Sequence, residues 1–354
     1  MSAPQYELSE PPTDVISAVK FAPHSDTRLL VSSWDRHIYL YEVASPLNAT
    51  EGHLLLRVEH RAPVLDICFG EDDDTAYSAG LDQDVNQINL ETGKKTVLST
   101  HDAGVRNVVY SREHQLLISS SWDKTLHIHP ISSESPTQQF ATIALPDKPH
   151  CLAASATNLV VAVANKEILV YSLSDLREAA LQPNPPDPLP IYPWQHREPA
   201  LKYMTRALAC HPNDTGFAIS SIEGRIGVEF FDPSPEAQAG KYAFRCHRVT
   251  TDDEDIVYPV NALAFNPVRT TVFASGGGDG AITFWDGASK RRIRHYAGFA
   301  SSVAALAWSQ DGRTMAVGTS PGFEDGKEEI DTSLIRVYVK SIPEGEVKVK
   351  AKAK

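Results

Sequence analysis

Hydrophobic and polar residues alternate along much of the chain in short runs, which is the pattern of half-buried β-strands. Clear examples are the stretches 37–41, 126–129 and 281–285. Each stretch follows a tight-turn signal built around an aspartate, namely Asp35, Asp123 and Asp279. Because aspartate favours tight turns by bonding nearby backbone amides, each segment predicts two antiparallel strands joined by a turn.

The turn signals recur at the spacing of one small sheet. Asp35, Asp82 and Asp123 are 47 and 41 residues apart, close to the length of one four-stranded unit. Innermost strands begin near residues 15, 64, 105, 151, 206, 260 and 303, so seven units fit the chain. In the fourth unit, Asn165 and Lys166 replace the aspartate turn. The repeats therefore predict an all-β fold, a seven-bladed β-propeller.

The last unit lacks a clear outermost strand, whereas residues 6–8 resemble a strand placed before the first unit. We expect this N-terminal strand to close the ring, because closure removes two exposed sheet edges. We predict one propeller over residues 1–340 and a basic, disordered tail over 341–354. Residues 182–190 hold five prolines, so we expect a proline-rich loop over 174–199, between blades four and five.

The turn aspartates are assigned a structural role in the scaffold. They are Asp35, Asp82, Asp123 and Asp279. Each is expected to bond backbone amides of its turn, and a histidine from the preceding loop, with His60 or His101 as candidates, is expected to face the carboxylate.

Composition narrows the function further. The net charge of −12 argues against sequence-independent binding of DNA or RNA, which needs a basic surface. No run of 18 apolar residues occurs, and residues 1–7 lack a signal-peptide pattern. The four cysteines are scattered, which is typical of reduced thiols in a cytosolic or nuclear protein. Without a catalytic triad, phosphate-binding loop or metal-ligand spacing, we expect no enzyme activity, no cofactor, no metal and no membrane partner.

Blade five carries the most specific stretch of the sequence. It runs through residues 220–236 (SSIEGRIGVEFFDPSPE) and continues through 241–248 (KYAFRCHR). This stretch closely resembles the Bub/mRNA-export-factor family of WD-repeat propellers, and the resemblance extends over nearly the whole chain. Residues 228–236 and the acidic net charge fit the spindle-assembly checkpoint branch better than the nuclear-pore branch.

The resemblance implies a non-enzymatic adaptor with two peptide ligands on the face that bears the tight turns. One ligand is the GLEBS motif of a Bub-type checkpoint kinase and its kinase-like relative. The other is a Met-Glu-Leu-Thr repeat of the kinetochore scaffold, phosphorylated on its threonine. The adaptor then recruits the kinase to unattached kinetochores and delays anaphase. The inhibitory assembly of the anaphase-promoting complex is a further expected partner, and the expected locations are the nucleus, the kinetochore in mitosis and the cytoplasm.

The phosphate site is expected on blade five. The resemblance places phosphothreonine-binding residues at Arg225 and Arg245, with Arg248 as a third candidate. A hairpin tip near residues 232–240 would bring the Arg245–Arg248 end back beside Arg225. Clustered guanidinium groups match the oxygens and charge of a phosphate. The alternative is that these arginines pair with Glu223, Glu229 or the acidic loop 252–255.

The GLEBS segment is expected near Trp34 and Trp122, which precede their turn aspartates and so look out from the face near the central opening. Lys166, in the corresponding turn of blade four, is a candidate contact for acidic residues of that segment. Local packing is the alternative role of the two tryptophans.

Two rival functions remain open at this point. One is a nuclear-pore mRNA export adaptor that binds a nucleoporin GLEBS segment. The other is a substrate receptor of a cullin ubiquitin ligase, but the sequence after Trp285-Asp286 lacks the arginine which that class usually carries.

Overall fold

The computed structural model describes residues 4–44, 51–131, 139–251, 254–322 and 329–348. Within these ranges the chain forms seven four-stranded antiparallel sheets and one two-stranded sheet. The four-stranded sheets are the blades of a ring, so the predicted seven-bladed propeller is confirmed. In the described part of the chain, no helix is both long and apolar enough to cross a membrane.

The strands are numbered in chain order. Those up to the end of the fourth blade are β1 (Gln5–Glu7), β2 (Ile16–Phe21), β3 (Arg28–Ser33), β4 (His37–Glu42), β5 (His53–Glu59), β6 (Val64–Phe69), β7 (Thr75–Gly80), β8 (Asp84–Asn89), β9 (Lys95–Thr100), β10 (Val105–Ser111), β11 (Leu116–Ser121), β12 (Thr125–Pro130), β13 (Ala141–Ala144), β14 (Pro149–Ala154), β15 (Asn158–Val163), β16 (Glu167–Ser172) and β17 (Gln195–Arg197). The remaining strands are β18 (Thr205–Cys210), β19 (Gly216–Ser221), β20 (Arg225–Phe230), β21 (Tyr242–Arg245), β22 (Arg248–Thr250), β23 (Asp255–Val257), β24 (Val260–Phe265), β25 (Val272–Gly277), β26 (Ile282–Asp286), β27 (Arg291–Tyr296), β28 (Val303–Trp308), β29 (Thr314–Thr319) and β30 (Arg336–Ser341). The helices are α1 (Leu173–Ala180) and α2 (Pro235–Ala239), and short 3₁₀ helices cover Thr332–Leu334 and Glu344–Val347.

Blades one to six are each built from consecutive strands, beginning with β2, β6, β10, β14, β18 and β24. Blade seven is different, because β28, β29 and β30 are completed by β1 from the other end of the chain. Tyr6 pairs with Val339 in this sheet, and the Tyr6 hydroxyl donates a hydrogen bond to the carbonyl of Ala44 at 2.8 Å. The predicted closure by an N-terminal strand is therefore confirmed.

The core lies between neighbouring blades. Inner strands are rich in β-branched and small apolar residues because both of their faces are covered. Strand β15 (NLVVAV) is buried at every position, whereas the outer strand β5 has exposed residues at alternate positions. Val160 of blade four packs with Phe217 and Ile219 of blade five in one such cluster.

Two predicted boundaries differ from the structure. The segment 174–199 is not a loop between blades, because it contains most of α1 and all of β17, and β17 is the fourth strand of blade four. Leu173 and Leu176 of α1 are buried in the cluster shared by blades three and four. Burial of these side chains stabilises the helix. The prolines that follow it in the sequence favour the prediction of a loop instead.

The tail predicted as disordered from residue 341 is structured as far as residue 348. Strand β30 ends at Ser341 and a 3₁₀ helix follows. Ile342 and Val347 are buried in a cluster with residues of blades six and seven. The lysines at 350, 352 and 354 lie outside the described residues.

Candidate functional site

One face of the ring, here called the turn face, carries the tight turns between the second and third strands of the blades. Residues 34–36, 81–83, 122–124, 164–166, 222–224 and 278–280 form these turns. The amide that opens a turn repeatedly donates to the loop that enters the innermost strand. This bond joins Trp34 to Val15 at 2.9 Å and Trp122 to Gly104 at 3.0 Å. The first residue of these two turns is thereby fixed on the turn face.

Histidine–aspartate pairs hold two of these turns. His101 Nδ1 lies 3.0 Å from the Asp123 carboxylate, and its Nε2 lies 2.9 Å from the Ser119 hydroxyl. A carboxylate only accepts hydrogen bonds, so Nδ1 donates to Asp123 and Nε2 accepts from Ser119. Burial lowers the pKa of His101, which keeps the ring in this neutral form. The contact expected between His101 and Asp123 is present, and their structural role stays a prediction.

Asp279 has an equivalent partner that sequence reasoning missed. His247 Nδ1 lies 2.8 Å from Asp279, and its Nε2 lies 2.8 Å from the Ser275 hydroxyl. The available sequence signal is His247, which lies in the stretch 241–248 that carries the family resemblance.

The turns at Asp35 and Asp82 are held differently. Asp35 accepts from the Tyr39 hydroxyl at 2.7 Å and the backbone amide of Thr13 at 2.9 Å. In blade two, the histidine prediction is wrong for His60, because its Nε2 contacts the Ser78 hydroxyl at 2.8 Å and no described hydrogen bond joins it to Asp82.

Asp82 lies in the turn of blade two, but its Oδ1 is buried without a hydrogen-bond partner among the described residues. Burial raises the pKa of this carboxyl, and the nearby charge of Asp84 raises it further. Asp84 instead ties the turn to the outer strand, since it accepts from the Thr100 hydroxyl at 2.7 Å and pairs with Arg61.

Seven residues occupy equivalent positions in the innermost strands and form a ring, and six of them line one cavity at the central opening. Each innermost strand shifts register around its second residue, as a β-bulge does. The seven residues are Ser17, Leu65, Arg106, His150, Arg206, Asn261 and Ala304. Sequence reasoning missed this ring, although a charged residue at the second position of an apolar strand is a usable signal. Three consecutive members, from blades three to five, are basic or imidazole side chains.

The two predicted tryptophans meet at this opening. Trp34 and Trp122 line one cavity of about 430 Å³ together with Arg106, Arg206 and Asn261. Trp34 is 40% exposed. The structure does not bring Lys166 to this cavity; it lies in the blade-four turn with a positive φ of 65°.

Trp122 also packs locally. A Cβ atom placed on Gly104 would lie 3.1 Å from its ring, so the indole covers the backbone of the preceding loop. Local packing and exposure to the cavity therefore coexist at this position.

Arg225 and Arg245 lie directly opposite each other. They open β20 and end β21, and they are register partners in the antiparallel pair. Opposite side chains in such a pair have Cβ atoms about 5 Å apart, and like charges there are destabilising. Arg225 Nε is 3.5 Å from the Glu223 carboxylate, whereas Arg245 is exposed and has no ion-pair or hydrogen-bond partner among the described residues. The geometry expected for this hairpin is present.

Arg248 is more constrained than the other two arginines. Its Nη1 lies 3.1 Å from Asp255, and its Nη2 lies 3.4 Å from the carbonyl of Glu223. The alternative prediction, that these arginines form ion pairs with nearby acidic residues, therefore fits Arg248 and, more weakly, Arg225. The third acidic candidate, Glu229, pairs with Arg197 and Lys241 and contacts none of the predicted site arginines.

Gly224 shapes the turn between Glu223 and Arg225. Its φ is +64°, and an added Cβ atom would lie 2.7 Å from the Cys246 carbonyl and 2.9 Å from Val257. Only glycine tolerates both the left-handed conformation and this close approach. The turn is therefore packed directly against the small sheet formed by β22 and β23.

An exposed apolar patch surrounds this turn. Met204, Ile222 and Val257 are all exposed, and the Ile222 amide donates to the Met204 carbonyl at 3.3 Å. Sequence reasoning did not identify this patch, because its members are far apart in the chain and only the fold brings them together. Exposed apolar side chains beside cations suit a peptide that carries both apolar and anionic groups.

Among the described residues, the exposed tryptophan and arginine side chains are suited to binding, and no arrangement of catalytic side chains is evident. No group of three or more His, Cys, Asp or Glu side chains within them is arranged to hold a metal ion. Burial raises the pKa of the Cys151 thiol to about 11, which disfavours the nucleophilic thiolate. The turn face thus carries two features that could serve as binding sites, the tryptophan cavity and the arginine pair.

The chain is similar to known WD-repeat proteins over most of its length. The family described as "WD domain, G-beta repeat" matches residues 2–42, 93–129 and 244–286. The chain is 42% identical to mitotic checkpoint protein BUB3.1 of Arabidopsis thaliana, over 98% of this chain and 95% of that protein. It is 32% identical to spindle assembly checkpoint protein bub3 of Schizosaccharomyces pombe, over 86% and 88% of the two chains. It is 30% identical to the poly(A)+ RNA export protein of the same yeast, over 98% and 93%.

Proposed function

Because this chain belongs to the BUB3 family of mitotic checkpoint WD-repeat proteins, we propose that it is a non-enzymatic adaptor of the spindle-assembly checkpoint. It binds the GLEBS motif of a Bub-type kinase and of its kinase-like relative, and it reads phosphorylated Met-Glu-Leu-Thr repeats of the kinetochore scaffold. In this way it recruits its partners to unattached kinetochores. We propose that it localises to the nucleus, the mitotic kinetochore and the cytoplasm. A further proposed partner is the assembly that inhibits the anaphase-promoting complex.

The observation that carries the proposal is the arginine pair on blade five. Two guanidinium groups on directly opposed residues repel each other, and of the two only Arg225 has an ion-pair partner among the described residues. An anion between them relieves that repulsion. A phosphothreonine supplies about −1.5 to −2 charges and three acceptor oxygens, and each charge-assisted bond contributes about 1.5–3 kcal/mol. This arrangement supports the proposal that binding depends on the modification.

The surroundings of the pair suit the rest of the repeat. Met204, Ile222 and Val257 expose apolar surface around the turn that precedes Arg225. The methionine and leucine of a Met-Glu-Leu-Thr peptide are apolar, so they can cover this surface while the phosphate meets the arginines. The apolar contacts add affinity, and the charged contacts add selectivity for the phosphorylated form.

The tryptophan cavity is the proposed GLEBS site. Tryptophan and arginine are the residue types that most often dominate binding energy at interfaces, and Trp34, Trp122, Arg106 and Arg206 line one cavity. An acidic peptide with an apolar anchor complements such a lining. Lys166 stays a prediction as an additional contact at the edge of the same face.

A second candidate is an mRNA export adaptor at nuclear pores that binds a nucleoporin GLEBS segment. The similarity to the poly(A)+ RNA export protein over nearly the full length favours it. Both candidates use the tryptophan cavity, so the arginine pair distinguishes them. Only the checkpoint adaptor needs a phosphopeptide site on blade five.

The deciding experiment is a calorimetric titration with a Met-Glu-Leu-Thr peptide, phosphorylated and unmodified, in the presence of a GLEBS peptide. The proteins are the wild type, Arg225→Ala, Arg245→Ala and the control Arg291→Ala, whose side chain is exposed on the outer strand of blade six. We expect each site variant to weaken phosphopeptide binding at least about tenfold, since loss of one charge-assisted bond costs about 1.5–3 kcal/mol, while the control binds normally. Equal weak binding of both peptides by all proteins would refute the phospho-reader and favour the export adaptor.

A further inference from the structure

The small sheet of β22 and β23 is fixed next to the arginine pair. His247, immediately before β22, is anchored to Asp279 and Ser275. The Cys246 amide donates to the Gly224 carbonyl at 2.9 Å, and the Tyr258 amide donates to the His247 carbonyl at 3.0 Å. The first end of the hairpin is therefore tied to the scaffold and the second end is bonded to the first, which places the hairpin beside Arg245.

Asp255 of this hairpin lies among the cations of the site. It pairs with Thr250 in the register and accepts a hydrogen bond from the Thr250 hydroxyl. Its other carboxylate oxygen lies 3.1 Å from Arg248 Nη1. The Thr250 hydrogen bond lowers the pKa of Asp255, and the charges of Arg248 and Arg245 lower it further. The carboxylate is thus ionised and within the electrostatic reach of two site arginines.

The role of Asp255 inferred next concerns the same phosphate site and rests on the proposed function. We propose that Asp255 is an internal competitor for the phosphate site, which sets the charge that a ligand must carry to engage Arg245 and Arg248. A phosphate brings more charge and one more acceptor oxygen than a carboxylate, so it can displace Asp255. A glutamate side chain offers the same group that is already in place and gains nothing by exchange. Selectivity then comes partly from rejection of weaker anions.

The simpler role for Asp255 is to stabilise the hairpin through an exposed ion pair of small energy. The two roles predict opposite effects on peptide binding. Removal of a competitor tightens the binding of anionic ligands, whereas removal of a hairpin contact loosens the site and weakens it.

The test measures three peptides by calorimetry: Met-Glu-Leu-Thr, its phosphothreonine form and a form with glutamate in place of the threonine. The variants are Asp255→Asn and the control Glu254→Gln, which removes the same charge from the same hairpin at a residue without an ion pair among the described contacts. A third variant, Thr250→Val, keeps the net charge and removes the hydrogen bond that holds Asp255. Binding of a GLEBS peptide to every variant reports that the turn face is intact.

We expect Asp255→Asn to bind the phosphopeptide about 2- to 5-fold more tightly than the wild type, as loss of one exposed pair allows. Thr250→Val should change it in the same direction and Glu254→Gln much less. The glutamate peptide should exceed the unmodified peptide in affinity only for Asp255→Asn, and the unmodified peptide should bind all proteins alike.

If Asp255→Asn binds the phosphopeptide no more tightly than Glu254→Gln does, the competitor role is wrong, even when wild-type binding needs Arg225 and Arg245 as proposed. Failure of the proposed function looks different, because wild-type phosphopeptide binding is then absent or independent of the arginine pair. Absence of binding by every protein would overturn both proposals.

Discussion

The three histidines of blade three make a quantitative prediction about acid stability. The rings of His101 and His127 stack with centroids 3.5 Å apart, and His127 also stacks on Phe140 at 4.2 Å. The Ser99 hydroxyl lies 3.0 Å from both His127 Nδ1 and His129 Nε2. One hydroxyl can donate to one neutral ring and accept from the other, so Ser99 can bond both rings while they are neutral.

Burial sets the size of the effect. It lowers the pKa of His127 to about 3, with the nearby charges of His101 and His129 acting in the same direction. An unfolded histidine has a pKa of about 6.5. The unfolded chain therefore binds the proton first as the pH falls below about 6.5, and stability is lost until the pH reaches about 3. At about pH 5 this single group costs about 2 kcal/mol relative to about pH 7.5.

His127→Phe removes the titrating group and keeps an aromatic ring between His101 and Phe140. We expect the free energy of unfolding of this variant to fall by about 2 kcal/mol less than that of the wild type between about pH 7.5 and about pH 5. Equilibrium urea unfolding, followed by tryptophan fluorescence at several pH values, measures the difference. His196→Gln, which alters an exposed ring on blade four, should keep the wild-type dependence. Equal pH slopes for wild type and His127→Phe would refute the reasoning.

Two further predictions concern closure and the blade-five turn. Tyr6→Ala removes a buried aromatic side chain and its hydrogen bond to Ala44, so we expect the free energy of unfolding to fall by about 3 kcal/mol. Gln5→Ala, on the exposed side of the same strand, should lower it much less in the same denaturation experiment. Equal losses for the two variants would contradict the closure argument. Gly224→Ala should weaken phosphopeptide binding in calorimetry, because the new Cβ atom meets Cys246 and Val257, whereas Gly298→Ala has a comparable positive φ but meets nothing within 4 Å. Both should lose about 1 kcal/mol in stability from backbone strain, and identical binding by the two variants would show that the turn does not position the site.

The blades could be predicted from the sequence because their signals are local. The turn aspartate and the alternating strand of each blade lie within a short stretch of chain, and they recur at the length of one sheet. The structure around Asp123 can therefore be predicted from its sequence neighbours alone. Helix α1 could not be recognised in this way. Its buried residues Leu173 and Leu176 face a cluster supplied by blades three and four, and the prolines that follow dominate the local composition.

The site shows the same division between local and long-range information. The opposition of Arg225 and Arg245 follows from a single hairpin, which the sequence reveals. The ion pair of Arg248 with Asp255 depends on how a second hairpin sits on the first. The ring at the central opening depends on register shifts in seven separate strands, and register is set by tertiary packing. The local signal of such contacts is weak, such as a charged residue at the second position of an apolar strand.

Closure by β1 ties the beginning of the described chain to its end. Gln5 and Lys340 contact each other at 3.3 Å although 335 residues separate them. A ribosome adds about 5–20 residues per second, so β1 waits about 20 to 70 s for its partner strand to be made. During that time the earlier blades can fold, but the ring stays open at blade seven. Completion of this propeller is therefore the last step of its biogenesis, and a chain stalled before Arg336 exposes two open edges to the cell's quality-control machinery.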